Sequence, residues 1–562
     1  MNRSRPGGAG ARFLVRPTLD GEGIAAGVAI AVPVALVGFP LATLVLTAGS
    51  VPVSDLVRAL ARLDLPTLFA QVALLGALAT AWALAAAVPL AWLASRTDLP
   101  GRTILRNVAP LALAVPPYVL ALAYVALLSP GGAAHRAIAS SLGVTLATIR
   151  WPGVIFGIGG AAFVLGLAGA PSVFLLIHGA LDRVNPSLED AARSLGLGPM
   201  ATFRRVTLPL LRGPLLAGAL LVFLYACVDF GVVSLLRTRT VTTVLFTYLS
   251  TGFAPHASAA IALLLVVLLC VVLAAQDRAG RIGAGGATSR HGDVGIGALA
   301  DQRGRRDARP VALGRWRPLA IAYVAVVTGL GVVVPVLTLA SLALSLGPVA
   351  LVEFWGAQGE HVAHTVQIGA ATATLATAGG LALALARGRG LATAFAIGAA
   401  QAGYAVPGTV LALAVVGLVP RLLPWIDGTA GEIVLAVAVT TFAPAYQSCA
   451  TALDAVPRGL VDAARGLGET PLGALRRVTL PLSAPALVSG WALAFGLAAR
   501  ELAATLIVRP PGYDTLAVRL WVHATDVGPD PRAAAVALLL LAVLGVAWGV
   551  AQRLGRRGLT SA

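Results

Sequence analysis

Long apolar stretches separated by short charged segments run through the whole chain. Each stretch holds about 20 or more residues, the length that an α-helix needs to cross the hydrocarbon core of a membrane. The pattern therefore predicts an all-α, polytopic membrane protein with about 12 transmembrane helices. The predicted spans cover residues 23–49, 66–94, 107–128, 151–178, 213–235, 258–276, 318–347, 361–386, 392–418, 432–453, 485–508 and 533–553.

The twelve spans form two sets of six that repeat each other. We predict a first transmembrane domain over residues 1–276, a flexible cytoplasmic linker rich in Gly and Arg over 277–317, and a second transmembrane domain over 318–562. "AVPPYVLALAY" at Ala114 matches "AVPGTVLALAV" at Ala405, and each places proline early in a third span, where we expect a kink. Six is an even number of crossings, so the repeats are predicted to be parallel.

Charge placement predicts the orientation. The chain has 562 residues, of which 58% are hydrophobic and 12% are charged, and its formal net charge is +17. All 41 basic residues are arginines, and 30 of them lie in segments that we assign to the cytoplasm. This is the positive-inside pattern. It predicts that both termini are cytoplasmic, and it argues against nucleic acid as a partner. The first apolar run is too long for a signal peptide, so we interpret it as a retained helix.

A short charged segment occurs twice in this apolar chain. "EDAARSLGLGPMATFRRVTLPLL" starts at residue 189, and "VDAARGLGETPLGALRRVTLPLS" starts 272 residues later. In the first copy we predict a short helix that is capped by Ser187 and stopped by Gly196 in a left-handed conformation. Gly459 and Gly468 occupy the matching positions of the second copy. Both copies lie between the fourth and fifth spans of their half.

A second short helix is predicted to follow each turn. Pro199 opens it in the first copy and Thr470 with Pro471 in the second, and Pro209 or Pro481 closes it. A two-turn helix is too short to be stable by itself in water. The small residues on it favour close approach by a partner surface, rather than a loop that merely ties two membrane helices together.

The repeated segment resembles the cytoplasmic EAA loop of permease subunits of bacterial ABC importers. That pattern has an acidic residue, two alanines, a glycine and a final Leu-Pro at fixed spacing, and both copies here have Asp where Glu is usual. The matching residues are Asp190, Ala191, Ala192, Gly196 and Pro209, and again Asp462, Ala463, Ala464, Gly468 and Pro481.

The resemblance covers almost the whole chain and implies two fused permease subunits of the type I importer kind. It implies two partner ATPase subunits, each receiving one short coupling helix, together with an extracytoplasmic solute-binding protein and a location in the bacterial inner membrane. The chain has no lysine, so it cannot supply the G-x-x-x-x-G-K-[ST] motif of a phosphate-binding loop. We therefore expect a transport subunit that has no ATPase site or cofactor of its own.

Charged residues inside membrane spans are candidates for the translocation pathway. Asp229 lies in the fifth span, and Arg500 and Glu501 lie in the eleventh. The 272-residue offset relates Asp229 to Glu501, so the two carboxylates are predicted to occupy equivalent positions. The alternative is that Arg500 and Glu501 lie near the outer end and only hold the shape of a gate.

Residues 500–521 resemble the end of fused permeases in the ferric iron importer branch, with "REL", "TL" and "DTLA" in order. The resemblance implies ferric iron as the first candidate solute, with thiamine and phosphonates as alternatives from the same branch. A hard trivalent cation favours oxygen ligands, which suits the two carboxylates. His361 and His364 form a pair without a third ligand, so we interpret them as interfacial residues and predict no resident metal site.

Two other classes of protein remain open. An ion-coupled secondary transporter can also have twelve helices in two parallel halves, but it has no use for paired ATPase-docking loops. A polytopic membrane enzyme requires a clustered catalytic set of His, Asp and Ser, and no such cluster is evident. The three cysteines, which all lie in apolar runs, are predicted to serve packing.

Overall fold

The computed structural model describes residues 21–61, 64–108, 112–113, 115–182, 184, 186–251, 255–283, 310–387, 390–526 and 530–560. Most of these residues are helical. Within the described ranges no strand forms, and a single isolated β-bridge joins Thr97 to Val311. The predicted all-α fold is confirmed.

Fourteen α-helices precede the linker and thirteen follow it in the described residues. The first set is α1 (Gly21–Gly49), α2 (Val53–Ala61), α3 (Leu65–Arg96), α4 (Arg102–Val108), α5 (Pro117–Leu128), α6 (Ala133–Ser141), α7 (Ile158–Leu181), α8 (Pro186–Ser194), α9 (Pro199–Thr202), α10 (Leu208–Leu210), α11 (Arg212–Val228), α12 (Gly231–Leu235), α13 (Val241–Ser250) and α14 (Pro255–Gly283). The second set is α15 (Arg317–Thr328), α16 (Val334–Leu344), α17 (Pro348–Gly356), α18 (Gly359–Leu385), α19 (Leu391–Ala405), α20 (Gly408–Leu422), α21 (Ala430–Asp454), α22 (Arg458–Gly466), α23 (Pro471–Ala474), α24 (Leu480–Ala499), α25 (Ala503–Val508), α26 (Leu516–Asp526) and α27 (Pro531–Thr560).

The long helices follow the order of the twelve predicted spans. Among the described residues, nine helices are long and apolar enough to cross a membrane, and two strongly bent helix pairs bring the number to eleven. The remaining predicted span coincides with the apolar stretch His256–Val272 of α14, which is shorter. The polytopic architecture predicted from the sequence is thus confirmed.

Predicted spans are interrupted in the structure in two ways. The ninth span is a pair of helices, α19 and α20, whose axes differ by 112° at the Val406-Pro407 step, so the proline expected to kink the helix separates two helices. The fifth span ends as a helix at Val228 and restarts at Gly231, and the eleventh ends at Ala499 and restarts at Ala503. These breaks fall at the charged residues predicted to line the pathway.

The first helix of each half packs against the other half. From α1, the Thr43 hydroxyl donates to the carbonyl oxygen of Ala414 in α20 at 3.2 Å. In the reciprocal contact, the Tyr124 hydroxyl of α5 donates to the carbonyl oxygen of Leu330, between α15 and α16, at 2.7 Å. The two halves are therefore interlocked through their first helices.

Each half has a tightly packed pair of long helices, α3 with α7 and α18 with α21. Small residues allow this close approach. A Cβ atom placed on Gly166 of α7 would lie 2.4 Å from the Cβ of Trp82 in α3, and one placed on Gly380 of α18 would lie 2.8 Å from the backbone nitrogen of Tyr446 in α21. Both contacts lie between the second and the fourth span of a half.

We expect Gly166→Val to destabilise the protein by about 1–3 kcal/mol, because the added methyl groups must displace α3. Gly159→Val is the matched control in the same helix, since a Cβ there meets nothing within 4 Å. Thermal unfolding in detergent, followed by circular dichroism, measures the difference. Equal melting temperatures for the two variants would contradict the packing argument.

The ends of the halves extend beyond the predicted spans. α14 continues to Gly283, so it includes the first seven residues of the predicted linker, 277–283. Most of the predicted linker, residues 284–309, and the basic N-terminal segment, residues 1–20, lie outside the described residues. Within the described part, the chain resumes at Pro310 and reaches α15 through a short 3-10 turn at Gly314–Trp316.

The cysteines differ in their surroundings. Cys227 and Cys449 are buried, and their thiols contact the carbonyl oxygens of Val72 at 3.8 Å and Thr377 at 3.6 Å. Cys270 is exposed on α14. The packing role predicted for all three therefore fits only the two buried ones.

Candidate functional site

Both repeated segments fold as a nine-residue helix, a turn and a second short helix. The predicted caps are wrong, however. α8 begins at Pro186 and α22 at Arg458, so Ser187 and Gly459 lie inside the first helical turn. Proline explains the shift, because its fixed φ and its missing N–H suit the start of a helix. Pro457 occupies the capping position of α22.

The predicted left-handed turn is present in both copies. Gly196 has φ +86° and Gly468 has φ +90°. The N–H of Gly196 donates to the carbonyl three residues earlier at 2.9 Å, and the next N–H donates to the carbonyl five residues earlier at 3.1 Å; Gly468 repeats both bonds, each at 3.1 Å. This is the Schellman motif, which ends a helix and satisfies its last carbonyl groups.

Pro481 does not end the second helix of its copy, contrary to the prediction, whereas the helix that contains Pro209 ends one residue later, at Leu210. Each proline follows a π-helical turn, Phe203–Thr207 in the first copy and Leu475–Thr479 in the second. The wider turn lets the chain stay helical around a proline, which lacks an N–H and would otherwise clash with a carbonyl of the preceding turn. In the second copy one span therefore runs from Pro471 to Ala499, whereas in the first the axis bends by 71° before α11.

Exposed apolar side chains occur at matching positions of the two copies. Leu188 and Leu460 are 49% and 48% exposed, and Leu195 and Leu467 are 85% and 88% exposed. Met200 and Leu472 form the third pair, at 63% and 59%. Asp190, Asp462, Ala191 and Ala463 are also exposed. Ala192 is buried within the chain, so part of the small face predicted to receive a partner is already covered in the first copy.

A buried ion pair beneath α8 is a feature that sequence reasoning missed. Glu189 Oε2 lies 3.2 Å from Arg96 Nε, and the two side chains are only 4% and 6% exposed. Thr207 donates its hydroxyl to Glu189 at 2.8 Å. The signals in the sequence were a second acidic residue beside Asp190 and an arginine at the end of the second span. Their pairing spans 93 residues, so only the tertiary structure shows it.

Asp229 and Glu501 occupy equivalent positions in the two halves, as the offset predicts. Each follows the long helix of its span and caps the short helix beyond the break, α12 or α25. Asp229 Oδ2 accepts hydrogen bonds from the N–H groups of Val232 at 2.8 Å and Val233 at 3.3 Å. Glu501 Oε1 accepts one from Ala504 at 3.2 Å. Both carboxylates therefore stabilise a helix N-terminus.

Arg500 joins the two halves next to these caps. Its Nη1 atom donates to the carbonyl oxygen of Leu113 at 2.7 Å, and the hydroxyl of Tyr118 donates to the carbonyl oxygen of Arg500 at 3.0 Å. Glu501 lies against the first residue of α20, where a Cβ on Gly408 would be 2.6 Å from Glu501 Oε1. Arg500 and Glu501 thus hold the second-half break against α20 and against the first half.

Tyrosines from both halves complete this polar cluster. In the first half, Tyr225 is close enough to Asp229, Arg500 and Glu501 to interact with their charges. In the second half, Tyr404 is similarly close to Tyr225 and Arg500. Tyr404 belongs to α19, in the ninth predicted span. The cluster combines hydroxyl, carboxylate and guanidinium groups at the junction of the halves, a combination of donors and acceptors able to contact a polar solute.

His361 and His364 connect the start of α18 to the loop before α26. Their Nδ1 atoms donate to the carbonyl oxygen of Asp514 at 3.2 and 3.1 Å, and the ring of His364 stacks on that of Tyr513 at 3.7 Å. In the part of the chain that the structure describes, no three His, Cys, Asp or Glu side chains are grouped so that they could hold a metal ion. The two histidines hold a loop in place.

The helices and the duplicated segments define a class of protein, a multi-spanning membrane protein built from two homologous halves. The family described as "Binding-protein-dependent transport system inner membrane component" matches residues 83–280 and 376–559. One match lies in each half, and together they cover more than half of the chain. The chain belongs to this family.

Individual relatives have transport functions for several solutes. The chain is 35% identical over 194 residues to a probable molybdenum ABC transporter permease of Haloferax volcanii, covering 34% of this chain and 66% of that protein. It is 24% identical over 398 residues to the Fe(3+)-transport system permease FbpB 2 of Haemophilus influenzae, covering 69% and 74%. It is 29% identical over 213 residues to the molybdenum permease ModB of Escherichia coli, covering 36% and 89%.

Proposed function

We propose that this protein is the fused permease subunit of an ATP-binding cassette importer. It forms the translocation pathway, two partner ATPase subunits hydrolyse ATP, and an extracytoplasmic binding protein delivers the solute. The observation that carries the proposal is the pair of matching helices, α8 and α22, with the same turn and the same exposed leucines. A duplicated docking element is expected where two copies of one partner must be bound.

The exposed residues of each copy give this partner surface its character. Leu195 and Leu467 stand on the left-handed turns, and Asp190 and Asp462 lie one and a half helical turns before them. A surface with an apolar centre and a charged edge resembles a protein interface more than a lipid-facing helix. We propose that α8 and α22, including Ala191 and Ala463, are the coupling helices that seat in the ATPase subunits.

The arginine distribution supports one arrangement in the membrane. We propose a multi-pass protein of the bacterial cytoplasmic membrane, with α8, α22 and both chain termini on the cytoplasmic side. The C-terminal ends of α3 and α14 then lie on the cytoplasmic side, and the loops before α13 and α26 lie on the extracytoplasmic side. The positive-inside pattern supports this orientation.

We further propose that Asp229, Arg500 and Glu501 form the gate of the pathway. They lie at the two helix breaks of the fifth and eleventh spans, and Arg500 bridges the halves at that level. Non-helical backbone within a membrane protein is tolerated where it is packed in protein or lines a polar cavity. Tilting of the two halves would separate or join these groups.

For the solute, ferric iron is the first candidate. The match to the Fe(3+) permease extends over 398 residues and therefore through both halves, and the oxygen-rich cluster suits a hard cation. Molybdate is the second candidate, because the matches to molybdenum permeases have higher identity over shorter lengths, 194 and 213 residues. Other relatives are named for putrescine, 2-aminoethylphosphonate and sulfate.

Reconstitution tests the proposed class. The protein purified from its own cells is expected to bring an ATPase subunit with it, and proteoliposomes of that complex are expected to accumulate solute only with ATP and binding protein present. Transport driven by an ion gradient alone, without an ATPase, would instead establish a secondary transporter.

Competition identifies the solute. Cells carrying only this system should take up labelled ferric iron, and excess unlabelled ferric complex should block that uptake. Molybdate, thiamine and a phosphonate serve as competitors of equal concentration. Blockade by molybdate with no effect of iron would replace the first candidate with the second.

A further inference from the structure

The network around Glu189 fastens α8 to the body of the first half. Glu189 accepts hydrogen bonds from the Nε atom of Arg96 at 3.2 Å and from Thr207 at 2.8 Å. Arg193 lies one helical turn further along α8, and its Nη2 atom is 3.8 Å from Glu189 Oε2. A buried carboxylate is tolerated only when it is paired and hydrogen-bonded, and this one meets both conditions.

Arg96 extends the network to two long helices. It is the last residue of α3, and its Nη2 atom donates to the carbonyl oxygens of Leu181 at 2.8 Å and Val184 at 3.2 Å, at the end of α7. One guanidinium group therefore joins the ends of α3 and α7 to α8. Because Arg has a rigid, planar fork of donors, it fixes these elements in one relative orientation.

The second half has the corresponding arginine but uses it differently. Arg387 lies 18 residues before the Ala-Val-Pro motif, as Arg96 does. It pairs with Asp454 at the end of α21, where the two side chains are 46% and 61% exposed. Exposed pairs of this kind contribute little. The position of Glu189 is occupied by Val461, and none of the residues Arg458–Gly466 is buried.

The segment that leads into the second half forms hydrogen bonds with Arg96 and with Asp98 beside it. Val311 donates its N–H to the carbonyl oxygen of Arg96 at 2.8 Å and accepts one from Asp98 at 3.2 Å. The N–H of Leu313 donates to the Asp98 carboxylate at 2.9 Å. The backbone of Arg96 thus holds the start of the second half while its side chain holds α8.

We infer that Arg96 and Glu189 are positioning residues that make the two proposed ATPase contacts unequal. Through them, α8 moves as one rigid body with α3, α7 and the attached segment before α15. α22 lacks a buried anchor and moves through its own turn and the continuous helix that follows. This inference rests on the proposed function for its consequence in transport, but the rigid attachment itself is a property of this chain alone.

Amide hydrogen exchange on the purified protein tests the attachment without any partner. α8 and α22 have the same length and the same Schellman turn, so they are matched elements. We expect amides of Pro186–Ser194 to exchange about tenfold more slowly than those of Arg458–Gly466. Glu189→Gln should remove the difference, and Asp454→Asn should leave it intact. Equal exchange of the two helices in the unmodified protein would overturn the inference.

Transport measurements on the full complex test the consequence. Glu189→Gln is expected to lower the solute taken up per ATP hydrolysed several-fold while ATPase association and maximal ATPase rate stay near normal. Asp454→Asn should preserve the ratio. A fall in both rates together would mean a general folding defect and would count against a positioning role. Absence of any associated ATPase would refute the proposed function while the exchange result remained valid.

Discussion

Replacing Gly196 and Gly468 together by aspartate is expected to abolish solute uptake and association with the ATPase subunits, while the protein still inserts in the membrane. Both glycines have φ near +90°, where a side chain is strained, although a Cβ would meet nothing within 4 Å. The change also places a charge beside the exposed Leu195 and Leu467. Uptake by cells and co-purification of the ATPase measure the two effects.

The control for this experiment is Gly101→Asp with Gly390→Asp. These glycines lie in the loops that follow α3 and α18, have φ +78° and +117°, and also have open space at the Cβ position. They share the strain and the added charge but lie outside the repeated segments. Normal ATPase binding by the Gly196 and Gly468 variant, or equal loss in the control, would contradict the docking role.

Neutralising the two carboxylates of the proposed gate is expected to lower uptake about ten- to hundredfold, the effect of losing a charged hydrogen bond worth about 1.5–3 kcal/mol. The variant is Asp229→Asn with Glu501→Gln. Each amide keeps an oxygen that can accept the same backbone N–H bonds, so the short helices α12 and α25 stay capped. ATPase association should not change, because the repeated segments are untouched.

Alanine at the same two positions separates a pathway role from a capping role. Asp229→Ala with Glu501→Ala removes both charge and cap, and loss of a cap typically costs about 1 kcal/mol. If the amide variant transports normally and only the alanine variant loses stability and uptake, the carboxylates are structural caps. The solute would then pass without contacting them, and the proposed gate would be wrong.

Hydropathy and repetition were sufficient to predict the architecture. The order of the spans, the two halves and the left-handed turns at Gly196 and Gly468 all follow from local rules, because span length and φ preference depend on neighbouring residues. The exact start of α8 was missed for a local reason as well. Pro186 is the first helical residue, so Ser187 lies within the first turn and not at the capping position.

The breaks in the fifth and eleventh spans could not be located by hydropathy. The apolar run continues on both sides of Asp229, so a window average predicts one helix. The carboxylate that interrupts the run also caps the next helix, and Gly231 packs against Tyr118, where a Cβ would lie 2.9 Å from that side chain. Such a break depends on a neighbouring helix that sequence periodicity does not contain.

The network of Arg96 and Glu189 required tertiary structure for a different reason. Each residue has an ordinary local explanation, since arginines are common at cytoplasmic helix ends and acidic residues are common in the first turn of a helix. Their burial together, which distinguishes α8 from α22, is visible only in the tertiary structure. The substitution at Val461 was visible in the sequence, but its meaning was not.

The exchange of first helices between the halves has a consequence for how the chain is made. Thr43 and its hydrogen-bond acceptor in α20 are separated by 371 residues. A ribosome that adds about 5–20 residues per second needs roughly 20–70 s to produce the acceptor after the donor. During biosynthesis α1 must wait in lipid, or with the insertion machinery, until its neighbours emerge.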